Sequence, residues 1–173
     1  YSVLKQALRD KAVDKTYQAL VQGHPDPFSG TIDAPIGRHP GHEWKMAIVE
    51  GGRESVTHYE ALEAHRAATL VEVSLETGRT HQIRAHMKHL GHPLFADARY
   101  GGDRVLWGNQ FSRYKQFVAN CFSLCPRQAL HAKTLGFVHP ITGEELLFDS
   151  ELPEDLTALL DRWRKYAAQV DEE

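Results

Sequence analysis

The stretch Leu75–Gly91, LETGRTHQIRAHMKHLG, decides how the rest of the chain is read. It carries a Gly turn, three basic side chains, three histidines and an amide, yet Ile83, Met87 and Leu90 keep apolar spacings of four and three. That period predicts a helix of about three turns from Thr80, stopped by Gly91. Just before it, ATLVEVSLETG alternates Leu70, Glu72 and Ser74 against Val71, Val73 and Leu75, which predicts a half-buried strand. A strand that turns at Thr77-Gly78 into a helix aims the first helical amides at the turn, where a carboxylate or phosphate is favoured. On such a helix Thr80, His81 and Arg84 share one face and Ile83 and Met87 form the apolar side. A plainer reading has Arg79 and Arg84 pairing with surface acids while His81 and Gln82 cap strand ends.

Outward from this segment, SVLKQALRDKA places Val3, Leu4, Ala7 and Leu8 on one helical face, and DKTYQALVQG then alternates as a strand up to Gly23. GTIDAPIGR reads as a short edge-like segment ended by Pro35, and residues 42–65 as two strands joined through Gly51-Gly52. Beyond the central helix, GHPLFADARYGG is rich in turn residues, and residues 103–128 show no clear period and read as a variable insertion. ALHAKTLGFVHPITGEELLFDS predicts two strands around a Pro/Gly turn. The last element has Pro153 near its first turn, early acids, and Leu156, Leu159, Leu160 and Trp163 on an apolar stripe, the marks of a terminal helix. Strands outnumber helices without alternating regularly with them. The expected class is therefore α+β, a mostly antiparallel mixed sheet flanked by helices.

The 173 residues are enough for one domain with a real core, and a net charge of −3 excludes a generally basic nucleic-acid coat. Positive charge gathers locally, with Arg79, Arg84, Lys88, Arg99 and Arg104 against Asp97 and Asp103, while the C-terminal tail is acidic. Cys121 and Cys125 are too few for a disulfide framework and lack a zinc spacing, and no apolar run reaches membrane-spanning length. A reduced cytoplasm, no membrane and a monomer are the expectations. His81, His86, His89 and His92 recur closely enough to raise a zinc site, but spacings of five, three and three give no H-E-x-x-H pair. No metal is expected.

Taken together, TGRTHQIRAH and LGHPLFADARYGG resemble the signature of the RluA-type pseudouridine synthases, T-G-R-T-H-Q-I-R-V-H followed by G-H-P and a G-D-x-x-Y-G turn. DKTYQALVQG is similar to the family's K-x-Y-x-A-x-V-x-G strand, ESVTHYEAL to its A-x-T-x-Y segment, and LHAKTLGFVHPITGE to its L-H-A-x-x-L-x-F-x-H-P-x-x-G hairpin. The resemblance covers nearly the whole chain and is weakest between Asp103 and Arg127. Ala85 stands where Val is usual and Ala96 where Gly is usual. The family's nucleophile is an Asp in an H-R-L-D-x-x-T-S-G motif, which occurs nowhere in these residues. The expectation is a partial pseudouridine synthase catalytic domain over 1–173, its N-terminal part with that Asp lying outside the chain. Asp10, Asp14 and Asp97 are not substitutes, Asp97 matching a turn position.

The resemblance implies isomerisation of uridine to pseudouridine in rRNA or tRNA, with no metal or redox cofactor. It implies that Tyr17 stacks on the target base and is the candidate to assist proton removal from C5. It implies that Arg84 pairs with the nucleophilic Asp, that Ile83 packs against the pocket, and that Arg79 and His81 orient the turn or touch RNA phosphate. Lys88, Arg99 and Arg104, with Lys5, Arg9, Lys11 and Arg38, are the candidate phosphate contacts. The alternative for the chain by itself is a non-catalytic RNA-binding module of the same fold.

Overall fold

The computed structural model describes residues 13–108 and 112–170, so the helix expected over residues 2–12, with Lys5, Arg9 and Lys11, lies outside the described residues. The described residues form eight strands: β1 (Val13–Gln22), β2 (Ser29–Asp33), β3 (Ile36–Arg38), β4 (Met46–Ile48), β5 (Val56–Ala64), β6 (Ala68–Leu75), β7 (Leu130–Val138) and β8 (Glu145–Asp149). Three α-helices accompany them: α1 (Gln82–His89), α2 (Ser112–Leu124) and α3 (Glu154–Val170). Six strands form one sheet in the order β2-β5-β6-β1-β7-β8, and β3 and β4 form a separate ribbon. All named strand pairings are antiparallel, and the class is α+β as expected.

The two-residue period of β1 and β6 feeds two cores. Ala19, Val21, Val71 and Val73 face Ile83 and Met87 of α1, together with Tyr59, Ile32 and Leu94. Leu20 and Leu70 face the other way, into a cluster with Val118 and Cys121 of α2 and Leu156, Leu159, Leu160 and Trp163 of α3. Both sheet faces are therefore covered at the centre. This is why the first four residues of β6, Ala68 to Val71, are all buried, where alternation alone predicts a strand with one wet face.

Two further expectations are corrected. Residues 42–65 do not make a hairpin through Gly51-Gly52: β4 pairs with β3, and β5 pairs with β2 and β6. The two glycines instead let the chain cross over the ribbon. Ile36 and Arg53 exchange backbone hydrogen bonds of 2.9 Å, and a Cβ on Gly52 would lie 2.8 Å from the Ile36 carbonyl carbon. The stretch read as a variable insertion holds α2, whose buried Tyr114, Val118 and Cys121 follow a 4-3 spacing that Cys125 extends by four. Half-buried Phe117 and Phe122 widen that stripe until its period is blurred in the sequence. Among the described residues no helix is long and apolar enough to cross a membrane.

Trp163 is the pivot of the α2–α3 layer, 1% exposed, with Phe117 edge-on at 4.9 Å and Phe95 edge-on at 6.0 Å. Its indole N–H has no partner among the described residues. Trp163→Ala is expected to cost about 3–5 kcal/mol in urea denaturation of the intact protein. Trp163→Phe, which removes the unsatisfied N–H and a smaller volume, is expected to cost clearly less.

Candidate active site around helix α1

The turn into α1 is held by a relay of polar side chains. The Thr77 hydroxyl accepts from the Val56 amide (2.9 Å) and donates to Gln82 Oε1 (2.8 Å), which also takes the Arg79 amide (3.0 Å). Gln82 Nε2 donates to the Val56 carbonyl and to Thr57 Oγ1, both at 3.0 Å. Thr57 and His86 Nδ1 are 2.7 Å apart, and His86 Nε2 meets the Ala34 carbonyl at 2.9 Å. One proton assignment satisfies the chain: His86 carries its proton on Nε2, donated to Ala34, and Nδ1 accepts from Thr57. Burial holds His86 below the usual imidazole range, so it stays neutral and structural. Gln82 thus caps strand ends, as the plainer reading has it, and β5, β6 and α1 are locked together.

The helix starts at Gln82, later than Thr80, and spans eight residues. His81 adopts a left-handed conformation with φ 53°, so Thr80, His81 and Arg84 do not share a regular helical face. The Arg79 amide goes to Gln82 Oε1 and the Gln82 amide to the Arg79 carbonyl, so these two amides do not serve an anion in the turn. The donors converge by another route. His81 Nδ1 lies 2.9 Å from the Tyr100 hydroxyl, and the Arg84 guanidinium lies 4.9 Å over the Tyr100 ring. The same hydroxyl accepts the Met46 amide (2.9 Å), which leaves it its own proton to give to His81 Nδ1. Desolvation first, then Arg84 and Arg99, lower the His81 pKa, consistent with a neutral ring whose proton sits on Nε2.

Arg84 is held by Asp97, Nε to Oδ2 and Nη2 to Oδ1, both at 2.8 Å. The Asp97 side chain is 1% exposed and that of Arg84 11%, so the partner is a buried carboxylate and not a surface acid. The turn carrying Asp97 is closed by hydrogen bonds from the Gly102 amide to the Asp97 carbonyl (2.7 Å) and from the Ala96 amide to the Gly102 carbonyl (2.9 Å). A Cβ on Gly102 would sit 1.8 Å from the Leu94 carbonyl oxygen, which restricts that position to glycine. Ala96, where the motif usually has Gly, has φ 64°, the left-handed region that glycine favours.

Tyr17 is half-buried at the rim of the apolar cluster that contains Ile83 and Met87. It lines a groove of about 260 Å³ with Thr16, Ala132, Lys133 and Phe148. The β1–β7 register slips between Thr16 and Tyr17, leaving Lys133 as the extra residue opposite them. Burial raises the Tyr17 pKa, which disfavours a phenolate. Arg79 is tied through Nε to the Glu54 carbonyl (2.8 Å), and Arg38 through Nη1 to the Glu43 carbonyl (2.9 Å). Lys88, Arg99 and Arg104 are exposed and make no ion pair among the described residues. His92 is used internally, its Nδ1 2.9 Å from the Gln22 carbonyl. Motif reading gives Asp97 only a turn position and Tyr100 no role, although both stand in the quoted turn motif; the available signal is a carboxylate and a phenol three residues apart in that turn.

A family model described as RNA pseudouridylate synthase matches residues 1–89. The chain belongs to the RluA-type pseudouridine synthase family. It is 54% identical over 156 residues to an uncharacterised RNA pseudouridine synthase of Mycobacterium bovis, covering 90% of the chain and 46% of that protein. It is 45% identical over 157 residues to the ribosomal large subunit pseudouridine synthase D of Nitrosomonas europaea, covering 91% of the chain and 43% of that protein. Among solved structures, human RNA pseudouridylate synthase domain containing 4 superposes with a TM-score of 0.69 at 25% identity, over 94% of this chain and 67% of that one. The chain spans about half the length of the curated relatives it matches.

Two outcomes are expected from the buried ion pair and from His86. Asp97→Leu and Arg84→Met each strand one buried charge and are expected to cost about 3–5 kcal/mol, whereas the two together cost far less than their sum. A double-mutant cycle by chemical denaturation measures that coupling. The lowered pKa of folded His86 means the unfolded chain binds more protons once pH drops below about 6.5, so stability falls with pH from there down to the folded value. Replacing His86 by Asn flattens that slope relative to wild type.

Proposed function

We propose that the protein to which this chain belongs isomerises uridine to pseudouridine in structured RNA, rRNA or tRNA. The observation that carries the reading is the fixed guanidinium of Arg84. Asp97 takes Nε–H and one Nη2–H, and among the described residues the remaining N–H groups, on Nη1 above all, have no hydrogen-bond partner, which leaves them as donors of a pre-aimed cation. On this reading they receive the nucleophilic Asp, which these 173 residues do not supply in its H-R-L-D setting. An adjacent cation keeps that carboxylate ionised, typically lowering an acid's pKa by about 1–3 units.

The reaction breaks the bond from uracil N1 to ribose C1′ and makes one from C5 to C1′, with the C5 proton lost and N1 protonated. It is redox-neutral, so it asks for no oxidant or reductant. The carboxylate attacks either ribose or base and leaves again when the new glycosidic bond is complete. Extrusion of the uridine from its stack costs a few kcal/mol. Tyr17, at the edge of an apolar cluster that includes Ile83, supports a stacking role on the extruded base. Its raised pKa argues for a neutral phenol, acting by contact and hydrogen bonding and not as a ready phenolate base at C5. His81 and Arg79 support the turn, and exposed Lys88, Arg99 and Arg104 suit RNA phosphate. The enzyme would act in the cytoplasm as a monomer.

Tritium release from C5-labelled uridine RNA tests the reading. In the intact protein, Arg84→Met with Asp97→Leu keeps the fold and lowers the rate by at least about 100-fold. Normal rates would remove Arg84 from the mechanism. Residues 1–173 alone bind RNA at most weakly and release no tritium, the behaviour of a non-catalytic module.

A further inference from the structure

The β3–β4 ribbon is docked on α1 by Ile36, Met46 and Ile48 against Ala85 and Tyr100, and by the Met46 amide on the Tyr100 hydroxyl. Between ribbon and helix lies a groove of about 270 Å³ whose rim carries His39, Lys45, Lys88 and His89, with Tyr100 also in its wall. Among the described residues no carboxylate lines it. The amides of Gly41 and His42 point at His39 Nδ1 from 3.0 and 3.1 Å, which makes Nδ1 the acceptor and leaves Nε2–H as the free donor of that ring. Its pKa is lowered by desolvation and then by Lys45, His42 and Lys88, as expected where cations are gathered.

The ribbon tip adds an aromatic platform. Trp44 is 53% exposed, with the His42 ring at 5.4 Å and Lys45 Nζ 5.3 Å from its centroid, and His42 is itself stacked on His39 at 5.1 Å. A wet tryptophan beside a cationic groove fits a ligand that is at once anionic and flat. Unstacked nucleotides of RNA have that chemistry, with backbone charge for the groove and a π-face for the indole. The groove is also continuous with the site, because Lys88 stands one helical turn from Arg84 on α1 and Tyr100 touches both places.

We propose that ribbon and helix hold a nucleotide flanking the target uridine, its phosphate among Lys45, Lys88 and His39 and its base stacked on Trp44. The proposal rests on the reading that RNA is the substrate. Its test is binding of a fluorescein-labelled stem-loop RNA with an unpaired uridine, followed by anisotropy over a salt series with the intact protein and kept separate from tritium release. Lys45→Ala with Lys88→Ala lowers the slope of log affinity against log salt by about 0.7, the value for one single-strand phosphate. Trp44→Ala weakens binding about 5- to 150-fold at unchanged slope, and Trp44→Phe restores most of it. Removing the bases beside the uridine abolishes the difference between Trp44 and Ala.

Unchanged RNA affinity in all three variants, with wild-type melting temperatures, overturns the proposal. So does a Trp44→Ala effect confined to phosphatidylserine vesicles, which would make the tip a membrane contact. Variant-sensitive binding without tritium release removes the isomerase reading and keeps the ribbon and helix as an RNA nucleotide site; normal release with insensitive binding overturns the ribbon site and keeps the isomerase reading.

Discussion

Burying a carboxylate beside a guanidinium is tolerated only when their hydrogen-bonding atoms meet with good geometry, and the Arg84–Asp97 pair is the place where this protein accepts that constraint. The consequences reach outward from it. Asp97 must be presented by a closed turn, hence a position at 102 that no side chain fits; Arg84 must come from a helix anchored at its start, hence the Thr77–Gln82–Thr57–His86 relay. The flat guanidinium then covers Tyr100, whose hydroxyl joins the ribbon at Met46 to the turn at His81. The Arg84 guanidinium is thus oriented by a neighbour that takes two of its hydrogen bonds.

The same arrangement explains why so many histidines can crowd one segment without forming a single cluster. His86 is consumed by Thr57 and Ala34 inside the core, and His92 by the Gln22 carbonyl. His81 is turned out of the helix toward Tyr100, while His89 remains on the exposed groove side. One residue type serves as core polar bridge, turn residue and surface donor because imidazole is both donor and acceptor and stays neutral when buried.

Most of the sheet was legible because period-two alternation and period-three-four spacing report directly which side of an element is dry. β1, β6, β7, β8 and α3 fall where those patterns put them. The failures are equally physical. α2 was hidden because Phe117 and Phe122 broaden its stripe, and the Gly51-Gly52 link was misread because the same dipeptide serves a hairpin and a close backbone crossing. The start of α1 shifted by two residues because side-chain hydrogen bonds to Gln82, which carry no periodic signal, override helix propensity at Thr80 and His81.

The amino-acid sequence by itself determined the class of fold, the family motifs, and which side chains were rich in donors: Arg84, His81, Tyr17 and the local basic group. Which acid Arg84 takes, that Tyr100 lies beneath it, and that the β3–β4 ribbon closes a cationic groove on α1 were decided only in three dimensions. Those contacts join loops to helices across turns with no repeating spacing. Hydrophobic burial leaves a period along the chain, whereas the pairing of polar groups depends on where folding brings their atoms.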